Sequence, residues 1–351
     1  MRGKYYMNVL ILTARCGMGH YSAAEAIKEE LINKNENINI KVVDIFDYLF
    51  PHFSHVIYGS FDFMVQKCSS IYNNLYQITS RKDTTHLIPF VLNKIRNLIQ
   101  DGNIDLVIST FPACSRYVSI YKEINKTVKL YTFITDINPN LEWISKNTDL
   151  YCVASDETKD TLVKNGVNKN KIIITGIPVK SKFKMDESVC YSISCKKEIL
   201  VMGGGLGLLP SINTTLKELS NDDSLHITVI AGKNERLKRK YKNQKNITIL
   251  GFTDKVYKYM KTSDLIVTKS GGITLFEAIY SKIPLYIIKP FLDQEVANAK
   301  FIEKQKVGVV SWDKKSKIAD QIKSLLNNNK KLNDMKNNML GIQINLDKLP
   351  I

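Results

Sequence analysis

Short apolar runs alternate along almost the whole chain with longer stretches that have helical spacing of polar and apolar residues. Each apolar run is brief and ends in a turn, which predicts a strand buried on both faces. In the first half, strands are predicted at Val9–Thr13, Ile40–Ile45, Leu106–Ser109, Leu130–Ile134, Leu150–Ala154 and Ile172–Thr175. In the second half, they are predicted at Glu198–Met202, His226–Ala231, Ile247–Leu250, Leu265–Thr268, Pro284–Ile288 and Val307–Val310. Strands that alternate with helices are typical of α/β proteins with parallel sheets.

This rhythm is interrupted by a polar, irregular stretch from about Pro178 to Lys197. At 351 residues the chain is too long for one ordinary core and suits two domains of ~150 residues each. We therefore predict an N-terminal α/β domain over residues 1–178, a linker over 179–197 and a second α/β domain over 198–328. Residues 329–351 are rich in Lys and Asn, and we expect a polar tail there, either a surface helix or partly disordered.

The chain is strongly basic, with 50 Lys and Arg against 34 Asp and Glu and a net charge of +16. This balance favours an anionic partner such as nucleic acid, an anionic membrane or a polyphosphate ligand. The alternative is that part of the positive charge reflects the codon composition of an AT-rich genome, since Lys, Asn and Ile are all abundant. The densest basic stretch, Lys233–Lys245, predicts either a solvated helix face or a surface for anionic lipid headgroups. Its single aromatic residue is Tyr241, and no recognition module is apparent, so we expect no nucleic-acid partner.

The six cysteines are scattered, without a C-x-x-C pair or a His at ligand spacing. This pattern argues against structural zinc and a disulfide framework and favours a reducing cytosol. No apolar stretch approaches the ~20 residues that span a bilayer, and Val9–Leu12 is too short for the core of a signal peptide. We therefore expect a cytoplasmic protein that meets a membrane only at its surface.

A strand that ends at Thr268 is followed by the turn Ser270-Gly271-Gly272 and at once by a helix. Unpaired backbone N–H groups and the helix dipole make such a turn an anion site, most naturally for a diphosphate. Glu277 lies further along the same helix, where a carboxylate would accept hydrogen bonds from ribose hydroxyls. The head of the next helix adds the polar residues Gln294, Glu295 and Asn298. Together these features predict a nucleotide-sugar pocket.

A second glycine-rich turn, formed by Gly203, Gly204, Gly205 and Gly207, follows the strand Glu198–Met202. Glycines there permit close backbone approach to a phosphate or a sugar, and they would equally suit a tight turn without a ligand. The Asp-x-Asp motif of metal-dependent sugar transferases is missing from the sequence. We therefore expect no metal and no other cofactor, with helix dipoles and backbone amides stabilising the leaving diphosphate.

His20 lies where the first predicted strand, Val9–Thr13, gives way to a turn and a helix. Transfer of a sugar to an alcohol needs a base for the hydroxyl proton, and an imidazole of near-neutral pKa suits that role. The alternative is that His20 caps the helix or contacts phosphate without proton transfer. Asp136 follows the predicted strand Leu130–Ile134 and would orient His20, bind the acceptor, or only cap the next turn.

These segments resemble the glycosyltransferases related to monogalactosyldiacylglycerol synthase and to the processive diacylglycerol glucosyltransferases of Gram-positive bacteria. More distantly, they resemble the enzyme that makes lipid II. The motifs that carry the resemblance follow the family's order at Asn8–His20, Phe133–Asp136, Ile174–Pro178, Gly203–Gly207, Gly251-Phe252, Thr268–Ile279 and Asp293–Ala299. The resemblance implies the α/β GT-B fold, in which two Rossmann-like domains face an interdomain cleft.

The resemblance also implies roles for individual residues. His20 would be the base, with inversion at the anomeric carbon, and Gly19 would join the donor-binding glycines. The backbone around Phe252 would recognise the uracil edge, which makes UDP the expected nucleotide. Gln294 and Glu295 would hold the hydroxyls of the donor sugar, UDP-glucose or UDP-galactose, between which no motif decides.

The chain departs from the family pattern near three of these motifs. Many relatives carry a His three residues before a Trp, but here Asn140 precedes Trp143, which leaves the identity of the acceptor open. Asp293 stands where a Gly usually precedes Gln294, a change that would alter sugar choice. Ser270 stands where a Pro is common, and its hydroxyl would add a phosphate contact.

A helical stripe of apolar residues extends from about Ser54 to Arg81 and predicts a core-facing helix. A neighbouring aromatic and basic stripe would instead suit a lipid interface, and the family takes its lipid acceptor from the membrane through the first domain. The candidate acceptor or membrane contacts are Tyr58, Tyr72, Tyr76, Lys67 and Trp143.

We therefore expect an enzyme at the inner face of the cell membrane that transfers a hexose from a UDP-sugar to a lipid hydroxyl. Diacylglycerol is the expected acceptor, and an anionic membrane surface is the expected partner. Two alternatives stay open. One is an enzyme of the same fold that acts on a cell-wall precursor or a soluble acceptor, and the other is a UDP-sugar-binding protein without catalysis.

Overall fold

The computed structural model describes residues 6–16, 18–67, 88–125, 127–184, 195–205, 207, 209, 212–290, 292–313, 317–342 and 346–351. The chain forms two compact units, one of Met1–Ser181 with Ile344–Ile351 and the other of Lys182–Gln343. The boundary after Ser181 lies within the predicted linker, of which residues 185–194 are outside the described part of the chain.

The first unit contains a parallel six-stranded sheet in the order β2-β1-β3-β4-β5-β6. Its strands are β1 Met7–Thr13, β2 Ile38–Asp44, β3 Leu106–Ser109, β4 Lys129–Phe133, β5 Leu150–Val153 and β6 Ile172–Ile174. Its described helices are α1 Gly19–Lys34, α2 Ile45–Leu49, α3 Ser54–Lys67, α4 Ile88–Asp101, α5 Pro112–Ile124 and α6 Asp156–Lys164.

Helices cover both faces of this sheet, which explains why β1 reads as a continuous apolar run. Side chains alternate between the two faces of a strand, so a strand covered on both sides needs apolar residues throughout. Leu10 and Leu12 of β1 pack in the cluster that includes Ile95 of α4. Val9 and Ile11 pack on the opposite face, in the cluster that includes residues of α1.

The second unit contains a parallel six-stranded sheet in the order β12-β11-β10-β7-β8-β9. Its strands are β7 Lys197–Met202, β8 Leu225–Ile230, β9 Ile247–Leu250, β10 Leu265–Thr268, β11 Leu285–Ile287 and β12 Gly308–Val310. Its described helices are α7 Ile212–Ser220, α8 Glu235–Tyr241, α9 Val256–Thr262, α10 Gly272–Tyr280, α11 Asp293–Lys304, α12 Ile318–Leu326 and α13 Asn329–Leu340. Counted within the unit from the β9 edge, this is the 3-2-1-4-5-6 order of the Rossmann fold.

Every predicted strand is present, with ends that shift by a few residues. In the C-terminal segment, the largely exposed helix α13 agrees with the surface-helix alternative for the polar tail predicted over residues 329–351. Helix α13 buries Leu332, Met335 and Met339, whose spacing of three and four residues places them on one face. The last residues then join the first unit, where Leu346 and Leu349 pack against the cluster around β1.

Both sheets reverse their strand order beside their first strand. In the first unit the reversal lies between β1 and β3, and in the second it lies between β7 and β10. Ligands of open parallel sheets bind beyond the carboxyl ends of the strands at such a reversal. The turns that follow these four strands are therefore the first places to look for a site.

Candidate active site

His20 is the second residue of α1 and lies just beyond the carboxyl end of β1. The chain leaves the buried strand through a turn in which Met18 adopts the left-handed backbone conformation, with φ 65°. Helix α1 starts at the next residue, Gly19, so this turn brings the imidazole to the point where the strand order reverses. The position is the one predicted from the sequence.

The imidazole of His20 is held through its Nδ1 atom. Nδ1 lies 2.9 Å from the carbonyl oxygen of Thr110 and 2.9 Å from the hydroxyl oxygen of Thr135. A carbonyl oxygen can only accept a hydrogen bond, so we assign the proton of the neutral ring to Nδ1, which leaves the lone pair on Nε2. Within the described part of the chain, no group hydrogen-bonds to Nε2. This tautomer presents Nε2 as a proton acceptor.

Asp136 is the second titratable group near His20. Its carboxylate accepts a 3.0 Å hydrogen bond from the indole nitrogen of Trp143. Burial raises the pKa of Asp136, against the opposing effects of His20 and of the hydrogen bond from Trp143. Burial lowers the pKa of His20, while the charge of Asp136 and the bond to the Thr110 backbone oppose that shift. The neutral imidazole, the form required of a base, is therefore favoured at neutral pH.

The groups that orient the imidazole are Thr110 and Thr135, which are not among the residues predicted from the sequence. The Thr110 hydroxyl also lies 3.0 Å from the carbonyl oxygen of His20 and 2.8 Å from the hydroxyl of Thr13. Both orienting threonines follow buried strands, β3 and β4, at the carboxyl edge of the sheet. That placement is the signal that would have pointed to them. Asp136 acts on His20 through its charge rather than as the hydrogen-bond partner of Nδ1.

The position where relatives carry a His is occupied by Asn140, directly before the short 3₁₀ turn Leu141–Trp143. Both amide atoms of its side chain are buried, and neither has a hydrogen-bond partner among the described residues. A buried polar group without a partner costs about 1–3 kcal/mol. The Asn140 side chain is thus an unsatisfied hydrogen-bond donor and acceptor, three residues before Trp143. It is also the position at which the sequence leaves the identity of the sugar acceptor open.

Two of the expected membrane contacts have internal roles instead. Trp143 is fully buried and packs with its ring centroid 5.9 Å from that of His20, so it does not reach a membrane surface. The hydroxyl of Tyr58 hydrogen-bonds to the Asp44 carboxylate and accepts a 3.1 Å hydrogen bond from the backbone nitrogen of Arg15. Tyr58 therefore connects α3 to the residues that lead into the His20 turn.

The other expected membrane contacts lie at or beyond the limit of the described residues. Lys67 is the last residue of α3, and Tyr72 and Tyr76 fall outside the described part of the chain. Exposed apolar side chains do occur nearby, at Phe53 and Val56, which are 66% and 52% exposed. None of the described helices is long and apolar enough to cross a bilayer.

In the second unit, the turn between β10 and α10 has the form of an anion site. Gly271 caps α10 without a side-chain hydrogen bond, and a Cβ atom placed on it would meet no atom within 4 Å. The first backbone N–H groups of a helix, here those of Gly272 and the two residues after it, have no partner within the helix. They lie at the positive end of the helix dipole, on the open side of the turn.

Ser270 and Asn298 support this turn from inside. Ser270 is fully buried, and its hydroxyl donates a 2.6 Å hydrogen bond to the carbonyl oxygen of Glu295. The side-chain amide of Asn298 donates a 2.8 Å hydrogen bond to the carbonyl oxygen of Ser270. The expected phosphate contact of the Ser270 hydroxyl is therefore replaced by a contact that fixes α11 to the turn. Asn298, predicted as a donor-binding residue, is 2% exposed and supports the turn from inside.

Glu295, expected to hold the donor sugar, is also turned inward. It is 2% exposed, and its carboxylate oxygen lies 3.0 Å from the Nζ atom of Lys269. Lys269 directly precedes Ser270, and its side chain is 25% exposed. Lys269 is not among the residues predicted from the sequence, although a cation beside a Ser-Gly-Gly turn was the available signal.

The glycine-rich turn after β7 divides into a packing part and an open part. A Cβ atom on Gly207, which has φ +63°, would lie 1.9 Å from the carbonyl oxygen of Ala231. Gly207 is thus required for packing against the turn after β8. A Cβ atom on Gly205 would meet nothing within 4 Å, and one on Gly204 would meet only Lys269, at 3.7 Å. Gly203 is buried at the end of β7. The open surface suited to a ligand is therefore at Gly204 and Gly205.

The sheet order brings the two glycine-containing turns side by side, because β7 and β10 are neighbours. Glu277 and Gln294 are partly exposed in α10 and α11. Phe252 is 71% exposed and follows β9, the edge strand, so it lies two strands away from β7. Among the described residues no group of three or more His, Cys, Asp or Glu side chains is arranged to hold a metal ion.

Comparison with known proteins matches both halves of the chain. Residues 20–179 match the monogalactosyldiacylglycerol (MGDG) synthase family, and residues 198–346 match the glycosyltransferase family 28 C-terminal domain. A Bacillus cereus protein named processive diacylglycerol beta-glucosyltransferase is 30% identical, over 95% of this chain and 89% of its own length. A Bacillus mycoides protein of the same name is 29% identical over the same shares of the two chains.

Among solved structures, MurG of Acinetobacter baumannii superposes with a TM-score of 0.63 over 97% of this chain and 96% of its own, at 17% identity. A likeness at that identity concerns the fold, and with the two parallel sheets it confirms the predicted GT-B fold of two Rossmann-like domains. The family matches confirm the predicted enzyme class, a glycosyltransferase. The chain belongs to the glycosyltransferase family that includes monogalactosyldiacylglycerol synthase and the processive diacylglycerol glucosyltransferases.

Proposed function

We propose that this enzyme transfers a hexose from a UDP-sugar to the hydroxyl of diacylglycerol at a membrane surface, with inversion at the anomeric carbon. The observation that carries the proposal is the state of His20, whose Nδ1 is held by a backbone carbonyl while Nε2 has no partner among the described residues. The relatives named processive diacylglycerol beta-glucosyltransferase support the acceptor and the type of sugar.

In this mechanism the Nε2 atom of His20 takes the proton of the acceptor hydroxyl as that oxygen attacks the anomeric carbon. The bond between the anomeric carbon and the diphosphate oxygen breaks, and its electron pair leaves with UDP. Attack from the face opposite the leaving group inverts the configuration. The imidazolium formed is stabilised by the nearby charge of Asp136, which raises the pKa of His20, and by the carbonyl of Thr110.

The leaving diphosphate needs compensation for its negative charge. We assign this task to the backbone amides at the start of α10 and to the open glycine turn after β7. A fixed array of N–H dipoles stabilises charge where it develops, without reorganising during the reaction. Neither a metal nor another cofactor takes part in this proposal.

The enzyme would meet its lipid acceptor as a peripheral protein on the inner face of the cell membrane. The exposed apolar side chains of Phe53 and Val56 support this part of the proposal, together with the net charge of +16. Apolar side chains enter the headgroup region, and basic residues are attracted to anionic lipids.

The test is UDP release from UDP-glucose and from UDP-galactose, with and without diacylglycerol in anionic liposomes. We expect release that requires the lipid, and we expect a β-linked glycolipid when the product is analysed by NMR. UDP binding without lipid-dependent turnover would instead favour a cell-wall precursor or a soluble acceptor.

The variant His20→Ala tests the base. General-base catalysis contributes roughly 10²- to 10⁴-fold, so we expect UDP release to fall by that factor. His226→Ala is the matched control, because His226 lies at the start of β8, at the opposite end of the strands from the glycine turns. Activity of His20→Ala near that of the wild type would remove His20 from the role of base.

A further inference from the structure

We propose that Lys269 is the cation of the diphosphate subsite and that Glu295 holds its ammonium group until a diphosphate arrives. Donor binding would then exchange one anionic partner of Lys269 for another. The inference rests on the proposed function, because the diphosphate is that of the UDP-sugar. It adds a residue to the site and an order to the binding steps.

The position of Lys269 supports the assignment. It lies between the two turns that carry the candidate phosphate-binding amides, directly before Ser270 in one turn and beside Gly204 of the other. Its Cε atom would be 3.7 Å from a Cβ atom on Gly204, so the aliphatic stem covers one side of the glycine turn. A phosphate seated on the amides of α10 would therefore lie next to this side chain.

The exposure of the two charged groups supports an exchange rather than a permanent pair. Glu295 is 2% exposed, whereas the side chain of Lys269 is 25% exposed, so Lys269 is the more accessible partner of the pair. A diphosphate carries more negative charge than one carboxylate, and the α10 dipole attracts it to the same place. Lys has three donors on a flexible stem, which suits a change of partner.

The exchange would have a consequence for sugar recognition. Once Lys269 turns to the diphosphate, the Glu295 carboxylate loses this ion pair at the head of α11, next to Gln294. It can then accept hydrogen bonds from sugar hydroxyls, the role that the sequence predicts. Recognition of the sugar would thus follow recognition of the diphosphate.

The competing explanation is that Lys269 only neutralises a buried carboxylate. The two explanations separate in three variants of the full-length protein: Lys269→Met, Glu295→Gln and the double variant. Because Lys269→Met removes the cation paired with a buried carboxylate, that variant alone risks unfolding. The double variant removes both charges and keeps the measurement possible. Lys330→Met, on the exposed face of α13, is the control for the loss of one positive charge.

Affinity for UDP and for UMP is measured by titration calorimetry, without an acceptor. A charged hydrogen bond lost from the diphosphate should weaken UDP binding roughly 10- to 100-fold in Lys269→Met and in the double variant. The affinity of these two variants for UMP, which has one phosphate less, should fall by a smaller factor. Glu295→Gln should bind UDP more tightly than the wild type, because Lys269 is no longer held away from the ligand. Lys330→Met should bind both ligands as the wild type does.

Wild-type affinity for UDP in the double variant would overturn the inference, and so would weaker UDP binding by Glu295→Gln. Both results leave the proposed function standing, since the wild-type enzyme still binds UDP. A wild-type enzyme that fails to bind UDP would overturn the proposed function and this inference together.

Discussion

A single methyl group added at Gly207 should destabilise the second unit, whereas the same change at Gly205 should affect only ligand binding. In Gly207→Ala the new Cβ atom would lie 1.9 Å from the Ala231 carbonyl oxygen and 2.8 Å from its carbon, so the turn after β7 must move. The left-handed conformation, φ +63°, adds about 1–2 kcal/mol for any residue with a side chain.

The magnitude follows from three contributions. Overpacking costs about 1–3 kcal/mol, which adds to the backbone term. Ala also lowers the conformational entropy of the unfolded chain, which stabilises the folded state by about 0.4–1 kcal/mol and offsets part of this loss. The net loss of unfolding free energy is therefore about 1–5 kcal/mol, and each kcal/mol lowers Tm by roughly 2–4 °C for a unit of this size.

The assay is thermal unfolding combined with hydrogen exchange, which shows the unit that has lost stability. We expect faster exchange in β7 and β8 and unchanged exchange in β1. Gly205→Ala is the control, because its Cβ atom meets nothing within 4 Å and should change stability by less than about 0.5 kcal/mol. It should still weaken UDP binding, since the methyl group enters the space proposed for the ligand. A Gly207→Ala protein with wild-type Tm, or a Gly205→Ala protein equally destabilised, would refute the packing argument.

The remaining predictions concern the first unit and the support of the anion site. UDP release should decline on acidification only as the pH falls through the lowered pKa of His20, because the protonated ring cannot act as a base. Asp136→Asn removes the charge that raises that pKa, so the decline should move to lower pH; an unchanged pH profile would contradict the coupling. Tyr58→Phe removes a hydrogen bond to a carboxylate and should lower the unfolding free energy in urea by about 1 kcal/mol. Tyr21→Phe on α1 is its control and should not differ from the wild type. Asn298→Ala should cost about 1–3 kcal/mol in thermal unfolding, and an unaltered Tm would show that the turn does not need this amide.

The strands were predictable because each is buried on both faces and therefore apolar along its length. Helix α13 was predicted only as one of two alternatives for the polar tail, because it buries only Leu332, Met335 and Met339 among Lys and Asn residues, which weakens the periodic signal. The return of Leu346 and Leu349 to the first unit could not be predicted either. Two leucines fit many surfaces, and nothing local selects the cluster around β1.

The positions of candidate site residues were predictable where local sequence determines them, as at His20 and Gly271, which lie in turns between a strand and a helix. What escaped prediction is pairing between distant segments. His20 is oriented by Thr110, 90 residues away, and Glu295 is paired with Lys269, 26 residues away. The sequence also cannot tell whether a polar group near a site faces a ligand or the protein. Ser270 illustrates this point, because its hydroxyl satisfies a buried carbonyl instead of a phosphate.

The contribution of the final residues to the first unit has a consequence for exchanging parts between relatives. Lys34 forms an ion pair with Asp347, and the hydroxyl of Tyr131 donates a 3.0 Å hydrogen bond to the carbonyl oxygen of Pro350. The first unit is therefore not a module that a single cut after Ser181 can release. A chimaera that keeps this unit intact needs two junctions, one near Ser181 and one near Gln343, so that its own C-terminal segment travels with it.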